Sequence, residues 1–239
     1  MIMKRIALLI LWSICLCGLL HAQLPMHVVL LGDSNTWLGG DGCNKPKGWN
    51  KWFSDLAQPL SCKSYARSGA TWTHTARTEY NTEENTGVLS DNNVIYNQIN
   101  RLKDACEKGE QTKPDLVIIM AGTNDLWFAD KRPDSLATWI RYDGQLLKEL
   151  FPESRVVLVT PPPFTKVGMD LQHRAADEIE TCGTAMGFSI VRLDKGDCEL
   201  RASDMVRKGY SKDGVHTTTK GASVLGKYIY EHIKAIVQQ

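Results

Sequence analysis

The sequence has almost no net charge: 28 lysines and arginines face 27 aspartates and glutamates over 239 residues, a formal balance of +1. A protein that grips nucleic acid by neutralising phosphates carries a basic excess, so that partner is not expected. Disorder is excluded by the opposite signal, since 43% of the residues are hydrophobic and a disordered chain is poorer in them. Cysteine is scarce as well. Seven in the whole chain are too few for a disulfide scaffold, and no CxxC pair or Cys/His cluster has zinc spacing, so no metal is expected. No internal repeat, low-complexity tract or Pro/Ser linker divides the chain, and its length suits one domain that buries its own core.

What is present begins with an export signal. Lys4 and Arg5 precede the uncharged run Ile6 to Leu20, and Leu20-His21-Ala22 offers an imperfect small-residue cleavage site before Gln23. Spanning a bilayer takes about 20 apolar residues, and this run falls short. A lipid anchor at Cys17 fits poorly, because Ile14-Cys15-Leu16 lacks the small residues that such processing uses. The reading is a signal peptide over 1–22 and one domain over 23–239, exported to the periplasm or the medium, with no membrane span after cleavage near Ala22. Removing two bases and no acid turns the charge of +1 into −1. That balance favours a neutral acylated glycan or small ester over a polyanion as substrate.

Five cysteines would remain: Cys43, Cys62, Cys106, Cys182 and Cys198. In an oxidising compartment the short-loop pairings are Cys43 with Cys62 and Cys182 with Cys198, while Cys106 on a helical stretch serves as a small hydrophobe. The sequence does not decide the pairing or the oligomeric state.

Apolar runs bounded by turns alternate with helical patterns. His27 to Leu31, Leu116 to Ala121, Val156 to Thr160 and Phe188 to Leu193 have the length and β-branched content of strands buried on both faces, and Ser61 to Ala66 is a weaker fifth. Helical stretches run from Val94 to Cys106, Leu136 to Leu150, Leu171 to Met186 and Ala222 to Val237. This alternation predicts an α/β domain with a mostly parallel five-stranded sheet covered by helices on both sides. Ligands of such sheets bind beyond the carboxyl ends of the strands.

Four short motifs sit at those ends. Gly32-Asp33-Ser34 follows the first strand, where a serine can present its hydroxyl at the sheet edge and its N–H to an oxyanion, or simply cap a helix. Gly69 follows the second strand and Gly122-Thr123-Asn124-Asp125 the third; each can supply a donor or merely turn the chain. Asp213-Gly214-Val215-His216 precedes the last helix, a spacing at which the aspartate can fix the histidine tautomer and leave its other nitrogen free as a base.

Together these four blocks, spanning residues 28 to 216, resemble those of the SGNH hydrolases, also called the GDSL esterase/lipase family. The resemblance implies a three-layer α/β/α, flavodoxin-like fold and hydrolysis of carboxylic esters without a cofactor. It places the nucleophile on Ser34, the base on His216, the orienting acid on Asp213, and the oxyanion donors on the Ser34 and Gly69 N–H groups and the Asn124 side chain. Asn35 departs from the leucine of the family name. Trp37, Trp49, Trp52, Trp72 and Trp127 crowd the segments after the strand ends, near the polar stretch Asn81 to Asn85. Aromatic faces flanked by polar groups suit sugar rings. Trp37, Trp72 and Trp127 are therefore candidate substrate contacts, and removal of O-acetyl groups from carbohydrate is the favoured activity. A lysophospholipase, arylesterase or thioesterase, and a carbohydrate-binding protein without catalysis, are the alternatives. His74 reads as a polar loop histidine, and His173 and His232 as surface or core residues.

Overall fold

The computed structural model describes residues 26–74, 94–127, 133–195 and 198–237. The export segment 1–22 and the polar stretch 81–85 lie outside the described residues. The five expected strands are all present, as β1 (His27–Gly32), β2 (Ser61–Ser64), β3 (Leu116–Met120), β4 (Arg155–Val159) and β5 (Ser189–Val191). They form one sheet in the order β2-β1-β3-β4-β5, and every pairing is parallel. The seven described helices are α1 (Ser34–Trp37), α2 (Trp49–Ala57), α3 (Ile95–Glu107), α4 (Thr123–Trp127), α5 (Pro133–Leu150), α6 (Met169–Ala185) and α7 (Thr219–Val237).

Strand alternation divides the core into two apolar layers. Val29, Leu31, Val117, Ile119 and Leu158 point to the side where Ile99 of α3, Ile140 of α5 and Ile179 of α6 pack. Val28, Leu30, Ile118, Val157 and Val159 point to the other side, against Trp49 and Phe53 of α2 and Leu225, Ile229 and Ile233 of α7. Helices thus cover both faces, which makes the three-layer α/β/α architecture. Full burial of a Val, Leu or Ile contributes about 1.5–3 kcal/mol, so β1, β3 and β4 supply most of the drive. The edge strand β2, Ser-Cys-Lys-Ser, buries only Ser64 and depends on its pairing with β1.

The cysteines test one expectation directly. Cys182 belongs to the α3/α5/α6 side of the sheet and Cys198 to the α2/α7 side, so the sheet separates them and the proposed Cys182–Cys198 pair is ruled out. Cys106 is half-buried on α3 and packs as a small hydrophobe. All five described cysteines are thiols in the structure.

Candidate active site

After β1 the chain moves to β2 on one side, then returns past β1 to β3 on the other. A crevice opens between the carboxyl ends of β1 and β3, where Gly32 pairs with Met120. The chain must turn sharply there. Gly32 has φ +153°, and a Cβ on it would come within 2.4 Å of the Met120 carbonyl oxygen, so no larger residue fits. Both polar groups of Gly32 are held by Gln98 of α3, whose Oε1 accepts the Gly32 N–H at 2.8 Å and whose Nε2 donates to the Gly32 carbonyl at 2.9 Å.

Asp33 then caps α1. Its Oδ1 accepts the Asn35 N–H at 3.0 Å. Burial pushes this carboxyl up to about 6, against the pull of the Asn35 N–H, the Thr123 hydroxyl and His216. Ser34 is the first residue of the helix, so its own N–H has no acceptor within the helix. Its side chain meets the loop before α7: Ser34 Oγ lies 3.0 Å from His216 Nε2, and His216 Nδ1 lies 2.7 Å from Asp213 Oδ2. A carboxylate only accepts, so Nδ1 carries the hydrogen and Nε2 offers its lone pair to the serine hydroxyl. The other Asp213 oxygen accepts the N–H groups of His216 at 2.8 Å and Val215 at 2.9 Å and the Ser211 hydroxyl at 3.0 Å. Burial opposes ionisation of Asp213, but the bonds from His216 and Val215 outweigh it and hold the carboxyl well below its ordinary value.

Two further links fix this loop against the serine. Asn35 Oδ1 accepts the Thr217 N–H at 3.1 Å, which gives a physical task to the residue that departs from the family name. The Thr165 N–H, just beyond the proline run 161–163, donates to the Gly214 carbonyl at 2.9 Å.

The candidate oxyanion donors are braced in the same manner. Gly69 turns at φ +81°. Asn124 Nδ2 donates to the Ala70 carbonyl at 2.9 Å, and its second amide hydrogen has no partner among the described residues. Asp125 carboxyl oxygens accept the N–H groups of Trp72 at 3.1 Å and Thr73 at 2.9 Å, locking the loop that carries Gly69 onto α4. Burial pushes Asp125 up, with the Thr73 and Trp72 bonds opposing it.

A cleft of ≈ 680 Å³ opens at Ser34 and His216, lined also by Trp37, Leu38, Ser68 and Thr217. Lys47, Lys212 and Lys220 stand around it, with Asp213 as the one acid among its described lining residues. A second hollow of ≈ 690 Å³ adjoins it and shares Trp37, Leu38 and Lys47.

Of the three tryptophans expected to meet substrate, only Trp37 lines the cleft. Trp72 is 1% exposed and belongs to the core, because Asp125 draws its backbone inward; that expectation is corrected. Trp127 is half-buried, packs against the same core and is not among the described residues lining the cleft. Trp49 is buried with its Nε1 on Thr36 Oγ1 at 2.9 Å, and Trp52 Nε1 donates to the Pro46 carbonyl at 3.0 Å. His74 pairs with buried Asp143, His173 with Asp194, and His232 with the Tyr228 carbonyl. Gln98 and Ser211 are not marked by any motif of the sequence, and the motifs that hold Asn35 and Asp125 do not reveal the bonds these two make. Gln98 left a trace there: it is a polar residue within the apolar stripe of Ile95, Ile99 and Leu102. Among the described residues, no group of three or more His, Cys, Asp or Glu could hold a metal, and no helix is long and apolar enough to cross a membrane.

Comparison with known proteins fits this arrangement. Residues 28–229 match the sequence family described as GDSL-like Lipase/Acylhydrolase. No curated protein sequence matches the chain. Among solved structures, a carbohydrate acetylesterase from Sinorhizobium meliloti is similar at 17% identity and TM-score 0.60, covering 88% of this chain and 99% of that one. A psychrotrophic esterase from Pseudoalteromonas sp. is similar at 16% identity and TM-score 0.59, covering 89% and 99%. An active-site mutant of a family two carbohydrate esterase from Clostridium thermocellum is similar at 14% identity and TM-score 0.60, covering 88% of this chain and 64% of that one.

Proposed function

The chain belongs to the GDSL-like lipase/acylhydrolase family and is an ester hydrolase by that membership, and from this premise we propose an exported serine esterase that removes O-acetyl groups from carbohydrate. The observation that carries the reading is the unbroken relay from Asp213 through His216 to Ser34.

A serine hydroxyl is a weak nucleophile until a base takes its proton. In the proposed mechanism His216 Nε2 accepts that proton as Ser34 Oγ attacks the ester carbonyl carbon. Asp213 keeps Nδ1–H in place and stabilises the imidazolium that forms. The negative charge that builds on the carbonyl oxygen is held by the Ser34 and Gly69 N–H groups and the second amide hydrogen of Asn124. Collapse of the tetrahedral species breaks the bond to the alcohol oxygen, which takes the proton from His216 and leaves. Water then attacks the acyl-enzyme with His216 again as base, and acetate departs with Ser34 restored. The relay needs no cofactor.

The substrate reading draws on three observations. Threonine, serine and lysine groups outnumber aliphatic ones around the cleft, Trp37 is among its lining residues, and two of the similar structures are of carbohydrate esterases. Lys47 and Lys212 make no ion pair with a described residue, so the field at the mouth is positive although the net charge is near zero. This favours an acetylated sugar that itself bears a negative group over the neutral glycan that the composition suggested. Export rests on residues 1–22.

The test is acetate release from a panel of acetylated neutral and acidic polysaccharides, alongside activated esters of increasing acyl length. Acetyl esters cleaved fastest, with acetate released from a glycan, is the expected result. Octanoyl esters cleaved far faster would replace deacetylation by lipase or thioesterase activity. Binding of a glycan without cleavage of any ester would leave a carbohydrate-binding protein.

A further inference from the structure

Cys43 and Cys62 meet on the α2/α7 side of the sheet, apart from the catalytic relay. The segment after α1 folds back over β2, and the Ser64 N–H donates to the Asp41 carbonyl at 2.8 Å. Two residues forward from Asp41 is Cys43, 3% exposed; two residues back from Ser64 is Cys62, packed against the same core layer. The neighbouring Cys62 thiol, together with burial, pushes the Cys43 thiol up. Cys43 also sits at φ +52°, a left-handed conformation that a residue with a Cβ adopts only under constraint. Cys106 and Cys182 lie on the opposite side of the sheet, so among the described cysteines Cys198, in the same layer as Cys43, is the one competing partner.

We propose that Cys43 and Cys62 form a disulfide that staples the loop 39–47, one wall of the hollow beside the cleft, to the edge strand β2. Gly40, Asp41, Asn44 and Lys45 of that loop line the hollow, which shares Trp37 and Lys47 with the cleft at Ser34. Without the bond, the side-chain tie between this loop and the β2 region is the exposed ion pair of Asp41 with Arg67 at 3.1 Å, and such pairs hold little. Edge strand β2 has few apolar contacts of its own, so a covalent link there acts where packing is thinnest.

Oxidation needs an external disulfide, such as oxidised glutathione. Cys62, the more accessible thiol, loses its proton and attacks one sulfur of that disulfide, and the other sulfur leaves as a thiol carrying a proton. Cys43 then attacks the Cys62 sulfur of the mixed disulfide, its proton passing to the second departing thiol. Two protein thiols lose two electrons, and one external disulfide becomes two thiols. The proposal does not depend on the esterase reading.

The experiment incubates the purified protein with oxidised glutathione, blocks free thiols by alkylation and maps the digested peptides by mass spectrometry. The expected result is a Cys43–Cys62 linked peptide with Cys106, Cys182 and Cys198 alkylated, and a Tm that falls by roughly 5–10 °C on reduction. Cys62→Ala, which leaves the buried Cys43 in place, should show no redox-dependent shift. Alkylated Cys43 and Cys62, a link from either to Cys198, or a linked protein whose Tm ignores reduction would overturn the proposal.

Discussion

His216 and His74 each pair with an aspartate, at 2.7 Å with Asp213 and at 3.2 Å with Asp143, in opposite surroundings. His216 and Asp213 expose 41% and 52% of their side chains at the rim of the cleft, whereas His74 exposes 10% and Asp143 none. Three N–H or O–H groups converge on one Asp213 oxygen, while one oxygen of Asp143 is buried without a partner among the described residues. The imidazole of His74 stacks on Trp139 with centroids 3.9 Å apart and is flanked by Tyr96 and Tyr142; that of His216 faces the Ser34 hydroxyl. A His–Asp pair is therefore not a base by composition. What stands at the second nitrogen, and whether substrate can reach it, separates a catalytic pair from a structural one.

The strongest way to break this contrast is to remove each histidine in turn. Ser34→Ala and His216→Ala should each lower kcat on an acetyl ester by about 10⁴-fold or more, whereas His74→Phe should leave kcat/KM within about tenfold. A loss in His74→Phe equal to that in His216→Ala would put the buried pair into the mechanism. Next in size, Asn124→Ala should lower kcat by about 10²–10³-fold with little change in KM, the cost of one oxyanion donor. Steady-state kinetics on one acetyl ester reads both.

The two aspartates should also differ in their response to pH. Burial pushes Asp143 up to about 6, with the His74 hydrogen bond opposing it, so its ionisation disfavours the fold above that pH. That penalty fades as pH falls from about 6 toward the unfolded value near 3.8. Asp143→Asn should accordingly be more stable than wild type by up to about 3 kcal/mol at pH 7, with the difference shrinking toward pH 4. Asp213 has the reverse sign. Its carboxyl is held low, so its contribution is present above the unfolded value and is lost as pH falls through the folded one. Asp213→Asn should thus differ most from wild type at neutral pH and not at all in strong acid. Urea unfolding across the pH range checks both; an Asp143→Asn gain that grows in acid would contradict the assignment. The smallest effect concerns the cleft rim, where Lys47→Ala should lower kcat/KM for an acidic acetyl ester by about two- to fivefold at low salt and less at 0.5 M salt, roughly in line with screening.

The catalytic pair was legible in the sequence because Asp213 and His216 are close in the chain and belong to a set of motifs at strand ends. The His74–Asp143 pair was not, since its members lie 69 positions apart and only tertiary packing joins them. The same distinction holds for the fold. Strands β1, β3 and β4 announce themselves by runs buried on both faces, whereas β2 is an edge strand of Ser, Cys and Lys. Helix α2 is only nine residues long, and although Trp49, Phe53 and Ala57 keep a spacing of four, so short an apolar stripe does not stand out from the turns around it. A tryptophan beyond a strand end is as well suited to the core as to a ligand, and Trp72 shows the core winning once Asp125 claims its backbone N–H. Gln98, the brace of the nucleophile turn, is 66 positions from Gly32, beyond the reach of any local pattern.

The claim that Ser34 is activated by His216 and not by the fold at large is tested most directly by covalent labelling with a fluorophosphonate, which reports nucleophile activation without regard to the natural substrate. The expected result is a single adduct, mapped by mass spectrometry to Ser34, abolished in His216→Ala and retained in His74→Phe. An adduct on another serine, or labelling of Ser34 that survives loss of His216, would contradict the account.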